Sequence, residues 1–117
     1  LDYYPLSRPG ERFPVADPGL PPRLTPRPDD DAHFLHGMLE GIARIERAGY
    51  TALQALGAPY PTRILTAGGV AASPVWTRIR ARILGVEVRA ADDAEASVGM
   101  ARLCRARSAG DGPVGPA

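Results

Sequence analysis

The sequence predicts an α/β fold in which helices and strands alternate in the order helix, strand, helix, strand, helix. A long segment with apolar residues at helical spacing precedes the short apolar run 63–66. That run leads into a glycine pair that opens directly into a second helical segment, and Gly85 separates this segment from another short apolar run. Because short strands joined through helices favour right-handed parallel connections, we expect a parallel sheet.

Residues 1–28 form the first predicted unit, and they cannot be a helix or a central strand. They contain eight of the chain's 13 prolines, and proline removes a backbone donor and fixes φ. The prolines are Pro5, Pro9, Pro14, Pro18, Pro21, Pro22, Pro26 and Pro28. We expect an extended, turn-rich segment, which is either a linker or a strip whose apolar side chains lie along another surface.

A long helix is predicted next, beginning at Asp29–Asp31, whose carboxylates favour a helix N-terminus. We expect its apolar stripe to face the core. The stripe consists of Leu35, Met38, Leu39, Ile42, Ile45, Leu53 and Leu56. Gly37 and Gly41 lie one turn apart and predict a close approach of neighbouring backbone, and Gly49–Tyr50 predicts an interruption or a kink of the helix. His33 and His36 are interpreted as ordinary helix residues because they stand three residues apart and the pattern around them is not that of a metal site.

The second half of the chain carries the clearest local signals. The run 63–66 predicts a buried strand. Ser73–Pro74 predicts a helix N-cap followed by proline at the first helical position, and Gly85 predicts the end of that helix. We expect this helix to bury Val75, Ile79 and Ile83. Its arginines are expected on a solvated face; they are Arg78, Arg80 and Arg82.

The last predicted elements are a short strand, a helix and a tail. The strand is 86–88, and Asp92 with Glu95 predicts a capping-box start for the final helix. Its expected narrow apolar face is formed by Ala94, Val98 and Ala101, with Gly99 permitting close packing. The glycine- and proline-rich segment 108–117 is expected to be disordered.

Gly68 and Gly69 stand at the junction between the predicted strand and helix. Glycines here let a ligand approach the backbone, and the N–H groups of a new helix favour anions. The layout is typical of a nucleotide site. The same pattern also fits a tight strand-to-helix turn that binds nothing.

Three segments together carry a family resemblance. They are Gly-Gly-Val-Ala-Ala-Ser-Pro-Val-Trp at 68–76, Ile-Leu-Gly-Val-Glu-Val at 83–88 and Ala-Glu-Ala-Ser-Val-Gly-Met-Ala at 94–101. In order and spacing they resemble the C-terminal end of the FGGY carbohydrate kinases. The opening runs 1–6 and 9–14 are similar to the branch that phosphorylates pentuloses such as D-ribulose or D-xylulose.

The resemblance implies a fold and assigns different functions to its two domains. The family has the actin-like ATPase fold, with two ribonuclease-H-like domains closing over a cleft, and residues 29–107 resemble the last part of the second domain. It also implies that the catalytic aspartate, the sugar-binding residues and the phosphate-binding turns lie upstream of this chain. We therefore name no catalytic residue and expect the fragment alone to be inactive. Without the rest of the protein, we expect residues 1–28 to be poorly ordered or to pack on a neighbouring molecule.

The resemblance also implies the ligand contacts. ATP is the implied nucleotide, with Mg²⁺, and the contacts carry over to Gly68, Gly69, Val70 and Ser73. Val70 stands where many relatives have a third glycine, and Ser73 where relatives often place an asparagine near adenine. Ser73 therefore has two interpretations, adenine contact or plain N-cap, and Trp76 is interpreted as core rather than as a wall of the adenine pocket.

Composition excludes several function classes. With 14 basic and 13 acidic residues the net charge is +1, which predicts neither a nucleic-acid nor an anionic-membrane partner. No apolar run approaches the roughly 18 residues of a membrane span, and no signal peptide is evident. The one cysteine, Cys104, cannot form an intramolecular disulfide, so we expect a cytoplasmic setting. Leu1 in place of an initiator methionine leads us to expect a fragment.

Two functions remain in contention. One is the nucleotide-side part of a pentulose kinase that binds ATP or ADP, with the sugar held by the missing N-terminal domain. The other is a non-catalytic interaction or regulatory domain that keeps the fold without the nucleotide. A dinucleotide-binding oxidoreductase fits poorly, because the spacing is not GxGxxG. An open edge of a two-stranded sheet also predicts self-association of the fragment.

Overall fold

The computed structural model describes residues 1–92 and 96–110. The elements are α1 (Asp31–Ala55), β1 (Arg63–Thr66), α2 (Pro74–Leu84), β2 (Glu87–Ala90) and α3 (Ala96–Gly110), with a 3₁₀ turn at Gly69–Ala72. This order confirms the predicted alternation of helices and strands. The second strand extends to Ala90, two residues beyond the predicted run 86–88.

The sheet formed by the described residues consists of β1 and β2, which pair in parallel with Ile64 opposite Val88. These two residues form a buried core with Leu84 of α2. α2 packs on both α1 and β2. The parallel pairing was predicted from the helix between the strands, because such a crossover returns the chain to the same edge of the sheet.

The prediction that run 63–66 is buried is correct for one face only. Ile64 is buried, whereas the next residue, Leu65, is 51% exposed. Successive side chains of a strand point to opposite faces, and the core contains the face that carries Ile64 and Val88. The other face of β1 is open within the described chain.

Helix α1 runs without interruption from its cap at Asp30, whose carboxylate accepts a hydrogen bond from the amide of Ala32 at 3.1 Å. The helix continues through Gly49 and Tyr50, so the interruption predicted there is wrong. A Cβ at Gly49 would lie 3.0 Å from the Phe13 ring, so this glycine makes room for an aromatic side chain from the N-terminal segment. A glycine within a helix lowers stability by about 1 kcal/mol relative to alanine. At position 49 the glycine leaves the space that the Phe13 ring occupies.

The predicted core stripe of α1 is also largely wrong. Four of its members are exposed: Leu35, Ile42, Leu53 and Leu56. The buried residues of α1 are mostly small, and they are Phe34, Gly37, Gly41, Ala43 and Gly49. The reason is that chain segments far away in sequence cover the small-residue side of the helix.

Residues 1–28 pack on α1 of the same chain, which corrects the prediction that they are poorly ordered or packed on a neighbouring molecule. Tyr3 is only 1% exposed, its hydroxyl donates to the Pro26 carbonyl, and its ring centroid lies 5.7 Å from that of Phe34. A Cβ at Gly41 would lie 2.7 Å from the Tyr3 carbonyl oxygen. The close approach of backbone predicted at Gly37 and Gly41 is therefore confirmed at Gly41, whereas at Gly37 the close atoms belong to the side chains of Leu1 and Tyr3.

The limits of α2 agree with prediction. Ser73 is the N-cap, and Gly85 ends the helix in the left-handed conformation at φ 72°. Of the three residues predicted to be buried, Ile79 is buried, Ile83 is half-buried and Val75 is 48% exposed. The face of α2 that is buried carries Ile79, Arg80 and Leu84. Val75 lies outside this face and is therefore exposed.

Helix α3 extends to Gly110, so it includes the first three residues of the tail expected to be disordered. Ala101 is exposed, and within the described part of the chain no atom lies within 4 Å of a Cβ built on Gly99. The described residues therefore make no close packing at Gly99. The predicted cap residue Glu95 and the apolar Ala94 lie outside the described residues. None of the helices in the described ranges has the length and apolarity needed to cross a bilayer.

Candidate functional site

The glycine turn lies at the carboxyl end of β1, where the chain passes through the 3₁₀ turn into α2. Gly68 has φ 87° and ψ −179°, a conformation that side-chain-bearing residues rarely adopt. Gly69 has no positive φ. Within residues 1–92 and 96–110, no atom lies within 4 Å of a Cβ built on either glycine. Packing inside the described chain therefore does not require a glycine at position 69.

Val70 follows the two glycines and is 60% exposed. The turn is held by its own backbone, since the amide of Ala71 donates to the Gly68 carbonyl and that of Ser73 to the Val70 carbonyl, each at 3.1 Å. The surface of this turn is thus a short stretch of backbone with one apolar side chain. Such a surface allows a flat ligand to approach closely.

Ser73 closes the turn and begins α2. Its hydroxyl oxygen accepts a hydrogen bond from the amide of Trp76 at 3.3 Å, and its carbonyl accepts one from the Thr77 hydroxyl at 2.9 Å. The N-cap interpretation is therefore confirmed. A serine hydroxyl can accept and donate at the same time, so the cap leaves the hydroxyl proton available for a ligand.

Arg80 is the residue that sequence reasoning missed. It was predicted on a solvated face, but it is 7% exposed. Its Nε and Nη2 donate to the two carboxylate oxygens of Glu46 on α1 at 2.9 and 2.6 Å. Its Nη1 donates to the hydroxyl of Thr66, the last residue of β1, at 2.5 Å. One feature of the sequence could have indicated that Arg80 is buried. It directly follows the apolar Ile79 and lies one helical turn after Trp76.

Glu46 favours the charged form of the buried Arg80. The hydrogen bond with Glu46 raises the pKa of Arg80 above its usual value, and this outweighs the lowering caused by burial. Burial raises the pKa of the neighbouring Tyr50, and the negative charge of Glu46 raises it further. Arg80 and Glu46 therefore form a charged, bidentate contact between α2 and α1.

A second contact between these helices centres on Glu40, which accepts from Arg82 of α2 at 2.7 Å and lies 2.6 Å from His36 Nε2. Partial burial of Glu40 would raise its pKa, but the hydrogen bonds from Arg82 and His36 outweigh it and hold the pKa below its ordinary value. The Arg82 side chain is 57% exposed. Arg82 is thus paired while lying on the solvated face that was predicted for it.

Residues 3–107 match the model for the C-terminal domain of the FGGY family of carbohydrate kinases. The chain belongs to the FGGY family of carbohydrate kinases. The match includes the glycine turn, Ser73 and the Arg80 contacts, and it confirms the family resemblance seen in the three sequence segments. Kinases of the FGGY family use ATP and Mg²⁺.

The residues of this FGGY domain fit a nucleotide better than they fit a metal. The Gly68–Gly69 backbone is open, and the Ser73 hydroxyl at its end retains a proton to donate. In the described ranges no three or more His, Cys, Asp or Glu side chains form a group that could hold a metal ion. We therefore assign none of the described residues to Mg²⁺.

Proposed function

We propose that this chain forms the nucleotide side of an ATP-dependent kinase that phosphorylates a pentulose, D-ribulose or D-xylulose. The observation that carries the proposal is the open turn at Gly68 and Gly69, at the carboxyl end of a parallel strand and before a helix. In open α/β sheets, ligands bind at this end of the strands. Packing in the described chain does not require Gly69, whereas contact with a purine or ribose over the turn does.

Ser73 supports the same proposal. Its hydroxyl oxygen already caps α2, so its remaining proton is the group that it offers to an adenine nitrogen. A serine offers one donor where an amide would offer a paired donor and acceptor. We therefore propose Gly68, Gly69, Val70 and Ser73 as the adenosine contacts, with Ser73 making one hydrogen bond.

The chemistry divides between this domain and the rest of the kinase. Transfer of the γ-phosphoryl group to a sugar hydroxyl needs a base to accept the hydroxyl proton, and Mg²⁺ would offset the phosphate charge. The family resemblance implies that this base and the sugar contacts belong to an N-terminal domain. We propose that the present chain binds and orients the nucleotide and is inactive by itself.

The pentulose assignment is supported by the resemblance of segments 1–6 and 9–14 to that branch. In the structure the first of these segments is a packing element, because Tyr3 is buried on α1. The resemblance of these segments supports the branch but does not identify the sugar. The sugar itself must therefore be established by assay.

The experiment is ADP production by the full-length protein with ATP and Mg²⁺ over a panel of acceptors: D-ribulose, D-xylulose, L-ribulose, sedoheptulose and glycerol. We expect turnover that depends on D-ribulose or D-xylulose. Turnover on glycerol alone would overturn the pentulose assignment and retain the kinase. No turnover on any acceptor, from a folded protein that also fails to bind ADP, would overturn the kinase proposal.

That last result would favour the second candidate, an interaction or regulatory domain that has lost the nucleotide. The observation that favours this candidate is Val70, whose exposed side chain stands where many relatives have glycine. Binding of ADP distinguishes the two candidates before any sugar is tested.

A further inference from the structure

We propose that Arg80 is a positioning residue for the nucleotide turn, because it ties both sides of that turn to helix α1. The inference rests on the proposed nucleotide site at the glycine turn. Arg80 does not lie in the turn itself; it acts through Thr66, which comes before the turn, and through Trp76, which comes after it.

Thr66 is the residue through which Arg80 reaches the strand side of the turn. It ends β1, two residues before Gly68, and its hydroxyl accepts from Arg80 Nη1 at 2.5 Å. Its carbonyl accepts from the amide of Ala91, just beyond β2, at 2.9 Å. The end of β1 is therefore fixed from one side by Arg80 and from the other by the chain after β2.

The helix side of the turn is reached through Trp76. The Arg80 guanidinium carbon lies 5.6 Å from the centre of the Trp76 ring, a distance at which a cation is attracted to an aromatic face. The amide of Trp76 in turn donates to Ser73, the residue that closes the turn. One guanidinium thus contacts residues on both sides of the turn.

Glu46 anchors this arrangement to α1. Its carboxylate holds Arg80 by two hydrogen bonds, which fix the plane of the guanidinium as well as its position. Lysine has no planar fork and could not hold Glu46 in this way while donating to Thr66. The glycines themselves offer no side chain by which the described chain could fix their geometry. Burial of Ala71 holds the middle of the turn, and we infer that the Arg80 contacts fix its two ends.

The chain also provides a matched control. Arg82 and Glu40 form another ion pair between α2 and α1, at 2.7 Å, and neither is hydrogen-bonded to a residue of the segment 66–73. Arg82→Gln removes a contact between the same two helices without touching the turn. If Arg80 acted only by holding the helices together, Thr66→Val, which leaves the Arg80–Glu46 pair in place, would bind ADP as the wild type does.

The test measures the dissociation constant for ADP by calorimetry in the full-length protein. Thr66→Val removes the hydroxyl that Arg80 holds and keeps the shape of the side chain, and Thr66→Ser keeps the hydroxyl. We expect Thr66→Val and Arg80→Lys to weaken ADP binding by about tenfold. Thr66→Ser and Arg82→Gln should bind ADP within about twofold of the wild type.

Hydrogen exchange gives a second readout that needs no ligand. The amides of Ala71 and Ser73 are hydrogen-bonded within the turn, and their exchange should accelerate in Thr66→Val and Arg80→Lys but not in Arg82→Gln. Equal ADP binding by wild type and a folded Thr66→Val would overturn the positioning role and leave the nucleotide site intact. Equal effects of Thr66→Val and Arg82→Gln on both readouts would also overturn it. A folded wild type that does not bind ADP would overturn the proposed function and this inference with it.

Discussion

Replacing Gly41 by alanine tests the packing that places the N-terminal segment on α1. The new Cβ would lie 2.7 Å from the carbonyl oxygen of Tyr3, 3.0 Å from the ring Cδ of Pro5 and 3.2 Å from the carbonyl carbon of Tyr3. Two of these are backbone atoms that no rotamer change can move. The segment must therefore shift away from the helix, and the fit of the buried Tyr3 side chain is lost.

The magnitude follows from two opposing effects. Alanine in place of glycine in a helix stabilises by about 1 kcal/mol. Overpacking a well-filled contact costs about 1–3 kcal/mol, and here the obstacle is backbone, so we expect the upper part of that range. The expected net loss is about 1–2 kcal/mol, which corresponds to a change of roughly 5- to 30-fold in a local opening equilibrium.

Hydrogen exchange in the full-length protein is the assay. The amides of Tyr4 and Arg23 pair with each other's carbonyls at 2.8 and 3.0 Å, and both should exchange faster in Gly41→Ala. The matched control is Gly99→Ala on α3, where no atom of the described chain lies near the new Cβ and only helix propensity acts. If Gly41→Ala left these amides protected, or stabilised the protein as much as Gly99→Ala, the packing argument would be refuted.

Two further predictions concern single side chains. Glu40→Gln should lower the urea midpoint at about pH 7. The folded-state pKa of Glu40 lies below its ordinary value, so its contribution is present above that ordinary value and disappears as the pH falls through the folded-state pKa. The urea midpoints of wild type and variant should therefore converge as the pH is lowered. A difference that stays constant as the pH falls would contradict the assignment. Ser73→Gly removes the hydroxyl that we assign to adenine but remains a good N-cap; it should cost only a few tenths of a kcal/mol of stability, whereas Ser73→Ala costs about 1 kcal/mol. Calorimetry with ADP should show weaker binding for both Ser73 variants, and wild-type affinity in either would remove Ser73 from the site.

The parts of the fold that the sequence predicted well are those set by neighbouring residues. The limits of α2 follow from Ser73–Pro74 and Gly85, whose effects on the backbone act within one turn. The parallel pairing of β1 and β2 follows from the helix between them. The glycine turn was located for the same reason, because strand, glycines and N-cap stand together in the chain.

The parts that were mispredicted depend on contacts distant in sequence. The exposed side of α1 was taken for its core because Leu35, Ile42 and Leu53 repeat at helical spacing, whereas the helix buries glycines under Tyr3 and Phe13. Arg80 was placed in solvent because its partner Glu46 is 34 positions away. Periodicity identifies an apolar stripe, but it does not show which segment covers the helix.

The measurement that tests the central claim most directly is ADP binding by the full-length protein with Gly69 replaced by alanine and then by valine. Position 69 has no positive φ and no neighbour in the described chain within 4 Å of its Cβ, so these side chains can be accommodated without disturbing the fold. Gly99→Val serves as the control. If adenosine lies over the turn, affinity should fall in steps with side-chain size, by about tenfold or more for valine, while Gly99→Val binds as the wild type does. Unchanged affinity in Gly69→Val would show that the nucleotide does not bind at this turn.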